Sequence, residues 1–226
     1  MKSFLIAFLV LFSATAVQAL SLDDVSGKDA VGGLRQALTQ GAGKAVDRLG
    51  MVDGFLGNPK VRIPLPENLR KVEGLMRKLG MGKHADELEM AMNRAAEAAV
   101  PEAKTLLVNS IKQMSVKDAK AILTGGDDAA TQYFKRATAE PLTGKFRPTV
   151  KKAMAKVRLA EKYDEFAGKG VKFGLVKEED AHLENYVTAR ALDGLYLMIG
   201  EEERAIRKDP LSAVGSLAKR VFGALR

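Results

Sequence analysis

The basic side chains between residues 141 and 160 are the part of this sequence best suited to bind an anion. The stretch carries six Lys and Arg and no Asp or Glu, in a chain of net charge +8. Near an anionic membrane surface each such cation contributes about 1 kcal/mol to binding. The same side chains can also be the solvated edge of an amphipathic helix whose apolar face is core. The candidate binding residues are Lys145, Arg147, Lys151, Lys152, Lys156 and Arg158.

Asp127 and Tyr133 are two further binding candidates, near the start of a predicted helix at 128–138. The Asp127 carboxylate can cap that helix, and Tyr133 can bury its ring while its hydroxyl finds a polar partner. A binding role stays open because functional residues are frequent on loops. A purely structural role, in capping the helix and anchoring the ring in the core, explains the same residues equally well.

Metal and catalytic chemistry have little support in the sequence. His84 and Glu87 lie one helical turn apart, but a metal site needs a fuller set of ligands. No Gly-x-Ser-x-Gly turn or phosphate-binding glycine loop is present, and the absence of Cys excludes disulfides and cysteine nucleophiles. We expect no metal and no cofactor. A non-enzymatic protein is favoured over an undetected hydrolase.

The first nineteen residues have the pattern of a secretory signal peptide. Lys2 precedes a short apolar run, and the segment ends in Val17, Gln18 and Ala19. The run is shorter than the about 20 apolar residues that span a bilayer. We therefore expect residues 1–19 to be removed, the remainder to be periplasmic, and the protein not to be a lipoprotein, since it has no Cys. Export also makes nucleic acid an unexpected partner.

Apolar residues recur at three- and four-residue spacing almost throughout, with no sustained two-residue alternation. This pattern predicts a single all-α domain at 20–226, with about eight or nine helices in an orthogonal or bundle-like array. Segments 50–66 and 168–182 are predicted loops, and prolines hold 62–66 extended. The predicted helices are 31–49, 67–79, 83–99, 101–113, 116–123, 128–138, 148–167, 183–208 and 211–224.

The helix at 183–208 should be central, because apolar residues around 191–199 cover nearly its whole circumference. Gly194 would permit close approach of a neighbouring helix, and a buried Asp193 would need a partner, either Arg190 or a backbone donor. The last helix is basic and amphipathic. It can lie on a membrane or dock onto its own domain, and we favour docking.

Several strings together resemble one bacterial protein family. They are RIPLP at 62–66, NRAAE at 93–97, GDDAATQYF at 126–134, FRP at 146–148, YVT at 186–188, ALDG at 191–194 and EEE at 201–203. Their order and spacing resemble the family catalogued as domain of unknown function 4197, over about residues 33–222. The resemblance implies a Gram-negative exported protein. It implies no catalytic residues, because the family has no established activity.

The sequence thus predicts an exported helical binding protein that contacts an anionic membrane surface or an envelope protein through a basic helix. The alternative is a carrier of an apolar ligand or lipid between its helices. The nine methionines would give such a cavity an adaptable lining.

Overall fold

The structure is a computed structural model that describes residues 27–78, 80, 82–172, 181–209 and 216–223. The predicted signal peptide at 1–19 lies outside these residues. The described part of the chain contains helices and no strand, so the predicted all-α fold is confirmed. The helices are α1 (Gly27–Leu49), α2 (Glu67–Lys78), α3 (Gly82–Ala99), α4 (Ala103–Gln113), α5 (Val116–Thr124), α6 (Ala129–Met154), α7 (Arg158–Lys172), α8 (Leu183–Lys208) and α9 (Ser216–Gly223).

Helix α8 is the central element, with the bounds that its apolar pattern predicts. It packs most extensively against α6 and also contacts α1 and α3. Helices α6 and α8 are antiparallel. Thr131, near the start of α6, meets Glu203 near the end of α8, whereas Lys151 near the end of α6 lies 3.8 Å from Glu184.

The extent of helix α6 differs from the prediction. The sequence predicts separate helices at 128–138 and 148–167, with Pro148 opening the second, but α6 runs without interruption through Pro141 and Pro148. The chain turns instead at residues 155–157, and α7 starts at Arg158.

The reason lies in where the two prolines sit. Pro141 and Pro148 are exposed and seven residues apart, which places them on one outer face of the helix. Each proline leaves the carbonyl four residues earlier without its N–H donor. Those carbonyls belong to Ala137 and Gly144, which are also exposed, so water can hydrate them and the cost is reduced.

Seven of the nine buried residues of α6 recur at every fourth position. Four residues advance about 40° beyond one full turn, so the buried stripe winds around α6 and meets different helices in succession. Helices α3, α4, α5 and α8 all contact α6. The residues of the stripe are Ala130, Phe134, Thr138, Leu142, Phe146, Val150 and Met154.

The N-terminus of α6 is capped by a side chain from α8. The buried Glu203 carboxylate accepts hydrogen bonds from the backbone N–H of Ala130 at 2.9 Å and of Thr131 at 2.8 Å. The predicted cap by Asp127 is wrong: Asp128 occupies the N-cap position, and its side chain makes no capping hydrogen bond. The positive end of the helix dipole also stabilises a carboxylate at this position.

Arg207 completes this buried charge network. It donates to Glu203 at 2.9 Å and to the carbonyl oxygen of Ile122, in the last turn of α5, at 2.8 Å. The pair therefore ties α8 to the end of α5 and to the start of α6. A buried carboxylate is tolerated when it has this full set of donors.

The predicted loop between α1 and α2 packs one aromatic ring against α8. A Cβ added to Gly194 would lie 2.7 Å from Cε1 of Phe55, which is fully buried. The close neighbour of Gly194 is thus a loop phenylalanine, and not the helix predicted from sequence. Only a residue without a side chain leaves room for this ring.

Helix α9 docks on α1, as favoured from its amphipathic pattern. Ala218 and Val221 are fully buried, and a Cβ on Gly33 would lie 2.7 Å from the carbonyl oxygen of Leu217. No helix in the described part of the chain is long and apolar enough to cross a membrane.

We predict that Glu203→Ala destabilises the protein by about 3 kcal/mol, because it leaves the Arg207 guanidinium and two backbone donors without their buried partner. Urea unfolding monitored by circular dichroism measures this change. The matched control is Glu202→Ala, whose carboxylate pairs at 3.7 Å with the largely exposed Lys44. That variant should lose less than about 1 kcal/mol. Equal losses in the two variants would contradict the capping role.

We predict that Gly194→Ala costs about 1–3 kcal/mol, since the new methyl group would overlap the Phe55 ring. Gly144→Ala is the control: Gly144 lies within α6 with open space where its Cβ would be. It should stabilise the protein by about 0.5–1 kcal/mol. Adding Phe55→Leu to Gly194→Ala should recover part of the loss, and a strictly additive double mutant would argue against the contact.

Candidate binding surface

The extended segment at 62–66 is held against α3 by one buried side chain. Asn93 accepts a hydrogen bond from the N–H of Ile63 at 2.8 Å and donates to the Ile63 carbonyl at 2.9 Å. The amide thus makes the two hydrogen bonds that a neighbouring β-strand would make with Ile63. The predicted extended conformation is confirmed. Val61, Ile63 and Leu65 are buried, while Arg62 and Pro64 face solvent.

A second polar network holds the beginning of the same loop. The buried Glu97 accepts from the backbone N–H of Phe55 at 3.0 Å and pairs with Arg94, one helical turn earlier, at 2.6 Å. Arg94 also donates a hydrogen bond to Asp53, whose backbone lies in the left-handed region with a φ of 66°. The hydrogen bond to Glu97 and, to a smaller extent, the one to Asp53 raise the pKa of Arg94, so this side chain stays cationic at all ordinary pH values.

A polar groove lies between this extended segment and α8, and we call it the loop–α8 groove. Its volume is about 490 Å³, and four cations lie along it. Lys60 pairs with Glu201 at 2.6 Å, and Arg62 pairs with Glu89 at 2.8 Å. These pairs neutralise much of the local positive potential. The four cations are Lys60, Arg62, Arg70 and Arg190.

The α8 side of this groove carries an aromatic–cation pair. The guanidinium carbon of Arg190 lies 5.5 Å from the ring centroid of Tyr186, and the Tyr186 hydroxyl donates to the carbonyl of Pro64. Arg190 also pairs with Asp193 at 3.2 Å, as predicted. The predicted burial of Asp193 is wrong, because its side chain is 58% exposed on the outer face of α8.

A second groove, the α6–α8 groove, runs on the other side of the exposed face of α8. Its volume is about 410 Å³. The α6 wall consists of residues spaced four apart, which form one ridge alongside α8. Cations stand at the two ends of this ridge and small residues lie between them. The four residues are Lys135, Ala139, Thr143 and Arg147.

The α8 wall of the α6–α8 groove is mainly apolar, with Ala189, Leu192 and Tyr196 among its residues. The Tyr196 hydroxyl lies 2.9 Å from Oγ1 of Thr138 beneath the groove. Burial raises the pKa of Tyr196, so its hydroxyl stays neutral. Asn185 lies at the end near Arg147, and within the described part of the chain its side-chain amide has no hydrogen-bond partner.

The predicted basic window is divided between two sides of α6. Arg147 lines the α6–α8 groove, and Lys151 on the same side approaches Glu184. Lys145 and Lys152, seven residues apart, project from another side, and Lys156 follows in the turn after α6. We call Lys145, Lys152 and Lys156 the lysine stripe.

The lysine stripe is exposed, and within the described residues none of its members forms an ion pair. The apolar residues that accompany it are core: Val150, Met154 and Ala160 are buried. Arg158 begins α7, and its side chain lies outside the described part of the structure.

The structure does not bring Asp127 and Tyr133 into a common cleft. Asp127 is exposed, whereas Tyr133 is buried and its hydroxyl donates to the Ser110 carbonyl at 2.7 Å, as the sequence predicts for a pinned tyrosine. Neither residue lines either groove. Among the described residues no group of three or more His, Asp or Glu side chains is placed to hold a metal ion.

The comparison with protein families agrees with the strings quoted from the sequence. Residues 24–223 match the family described as "Protein of unknown function (DUF4197)". The chain belongs to this family. No curated protein and no solved structure matches it significantly.

The strings that resemble the family have separate positions in the fold. Asn93 and Glu97 pin the loop after α1, and Glu203 caps α6. Three strings meet at the loop–α8 groove, where the segment at 62–66 faces Tyr186 and where Asp193 and Gly194 also line the wall. The cations of this groove come from distant parts of the chain, which is why the basic window alone did not indicate them.

We predict that Asn93→Ala releases the extended segment and costs about 2–3 kcal/mol, because both polar groups of Ile63 lose their buried partner. Hydrogen exchange by mass spectrometry should show a larger increase in exchange for peptides covering 58–66 than for peptides of α6. The control is Asn109→Ala, at an exposed position of α4. Unchanged exchange at 58–66 would refute the role of Asn93.

Proposed function

We propose that this protein is a non-enzymatic binding protein that contacts an anionic phospholipid surface of the cell envelope through the lysine stripe. The proposal includes export by the N-terminal signal peptide and a periplasmic location. One observation carries it: Lys145, Lys152 and Lys156 are exposed cations without an ion-pair partner in the described part of the chain.

Several other cations of the chain lie beside an acid, whereas among the described residues the members of the lysine stripe do not. Lys44, Lys60, Lys104 and Arg62 each have an acidic partner within 4.0 Å. An external anion that approaches them competes with a carboxylate already in place. The lysine stripe has no such competitor, so its charges remain available to a partner.

The mode of contact follows from the burial of the accompanying apolar residues. Phe146, Val150 and Met154 are buried in the core, so α6 has no free apolar face to insert into a bilayer. Binding would therefore be peripheral and electrostatic. Three lysines at about 1 kcal/mol each give at most about a hundredfold gain in affinity, which salt weakens by screening.

The carrier alternative has less support. The methionines that would line an adaptable cavity include Met92, Met154 and Met198, and all three are packed in the core. The two grooves beside α8 are open to solvent at the surface.

The test is co-sedimentation of residues 20–226 with vesicles of phosphatidylglycerol and phosphatidylcholine. Wild-type protein should bind at low salt and be released at high salt. The variant Lys145→Gln, Lys152→Gln, Lys156→Gln should bind at least tenfold more weakly, because the charges that face the lipid are lost.

The matched control is Lys112→Gln, Lys117→Gln, Lys120→Gln, which removes the same charge from exposed positions on α4 and α5. It should bind nearly as well as wild type, and pure phosphatidylcholine vesicles should bind neither protein. Absence of binding at low salt, or equal loss in the two triple variants, would overturn the proposal.

A further inference from the structure

We propose that the α6–α8 groove is a docking site for an extended acidic segment of a partner protein. This site is distinct from the lysine stripe, which lies on another side of α6. Two features support it. The groove is mainly apolar, and an exposed cation without an ion-pair partner among the described residues stands at each end, Lys135 and Arg147.

The charges at the two ends are available. Lys135 and Arg147 are exposed, and neither forms an ion pair among the residues that the structure describes. Asp193 reaches the margin of the groove, but Arg190 already neutralises it at 3.2 Å. Glu184 lies nearby and faces Lys151. The groove therefore presents positive potential to an anionic ligand.

The length of the groove suits a short extended segment. Twelve residues of α6 separate Lys135 from Arg147, which is about 18 Å along the helix axis. An extended chain spans that distance with about five or six residues at about 3.3 Å per residue. A helical ligand would need about twelve residues to reach both cations.

The lining suits a peptide backbone. Ala139 and Ala189 leave room for the chain, and Leu192 and Tyr196 give it an apolar floor. The side-chain amide of Asn185 can donate to and accept from the backbone of the ligand. The partly exposed Thr143 hydroxyl donates to the carbonyl of Ala139, so its oxygen remains able to accept a peptide N–H.

These features also distinguish a protein segment from a membrane surface. The apolar floor is recessed between two helices, and Leu192 and Tyr196 are buried, so a broad lipid surface cannot reach it. An extended peptide can, and acidic residues about five or six positions apart would reach both cations at about 3.3 Å per residue.

The probe is a fluorescein-labelled nonapeptide with two glutamates at each end and five alternating alanines and serines between them. Binding is measured by fluorescence anisotropy on the whole chain from residue 20. The charge variant Lys135→Gln, Arg147→Gln should weaken binding at least tenfold. Ala189→Trp, which fills the groove but keeps every charge, should weaken it to a similar degree.

Two controls accompany these variants. Lys117→Gln, Lys120→Gln removes the same charge outside the groove, and a probe with glutamines in place of glutamates removes the charge from the ligand. The control protein should bind as wild type, and the control probe should not bind. Thermal unfolding confirms that each variant is folded, with Ala189→Leu as the smaller substitute if the tryptophan variant is not.

The outcomes separate this site from the lysine stripe. Loss of peptide binding in both groove variants, with the control variant still binding, supports the docking site. Peptide binding that survives Ala189→Trp but not the charge variant would mean diffuse attraction and overturn it. Binding that survives the charge variant but not Ala189→Trp would indicate an apolar occupant and also overturn it, as would the absence of peptide binding. Failure of the vesicle test alone leaves this proposal standing.

Discussion

A carboxylate buried in an all-helical core must receive hydrogen bonds, and Glu203 obtains them from a helix that has no cap of its own. The start of α6 offers unpaired N–H groups, and Arg207 offers the opposite charge. Each group would be unstable in the interior without the others. These hydrogen bonds fix the position of α8 against both α5 and α6. The two grooves lie along the exposed face of α8.

The same principle recurs on the other side of α8. Asn93 and Glu97 hold the loop after α1 by binding its backbone, and Phe55 from that loop packs against Gly194 of α8. The central helix is therefore contacted by α6 on one side and by an irregular segment on the other. Buried polar side chains give this irregular segment a defined path, because local turn hydrogen bonds satisfy only part of its backbone.

Much of the fold could be predicted from sequence because it depends on local patterns. The bounds of α8 follow from its apolar circumference, and α5 begins with a capping box that needs only Ser115 and Asp118, three residues apart. Pro148 was misleading, because whether a proline ends a helix depends on the hydration of a carbonyl one turn earlier. The cap of α6 could not be predicted either, since Glu203 lies more than 70 residues from it.

The candidate surface was predictable only in part, for the same reason. The charge of residues 145–156 is visible in the sequence, but whether a cation is paired depends on acids brought near by the fold. Arg62 meets Glu89 across 27 positions, whereas Lys145 meets no acid among the described residues. The α6–α8 groove arises from the antiparallel register of two helices and has no signature in either one alone.

The remote cap of α6 has a consequence for the order of folding. During synthesis the start of α6 emerges long before Glu203, so its first turn lacks its acceptor until α8 has been made and docked. Synthesis at about 5–20 residues per second takes seconds to cover this separation, whereas a helix forms in about a microsecond. The middle of α6 can form early as a local helix, and its N-terminal turn becomes stable only in the last stage, together with the packing of α8.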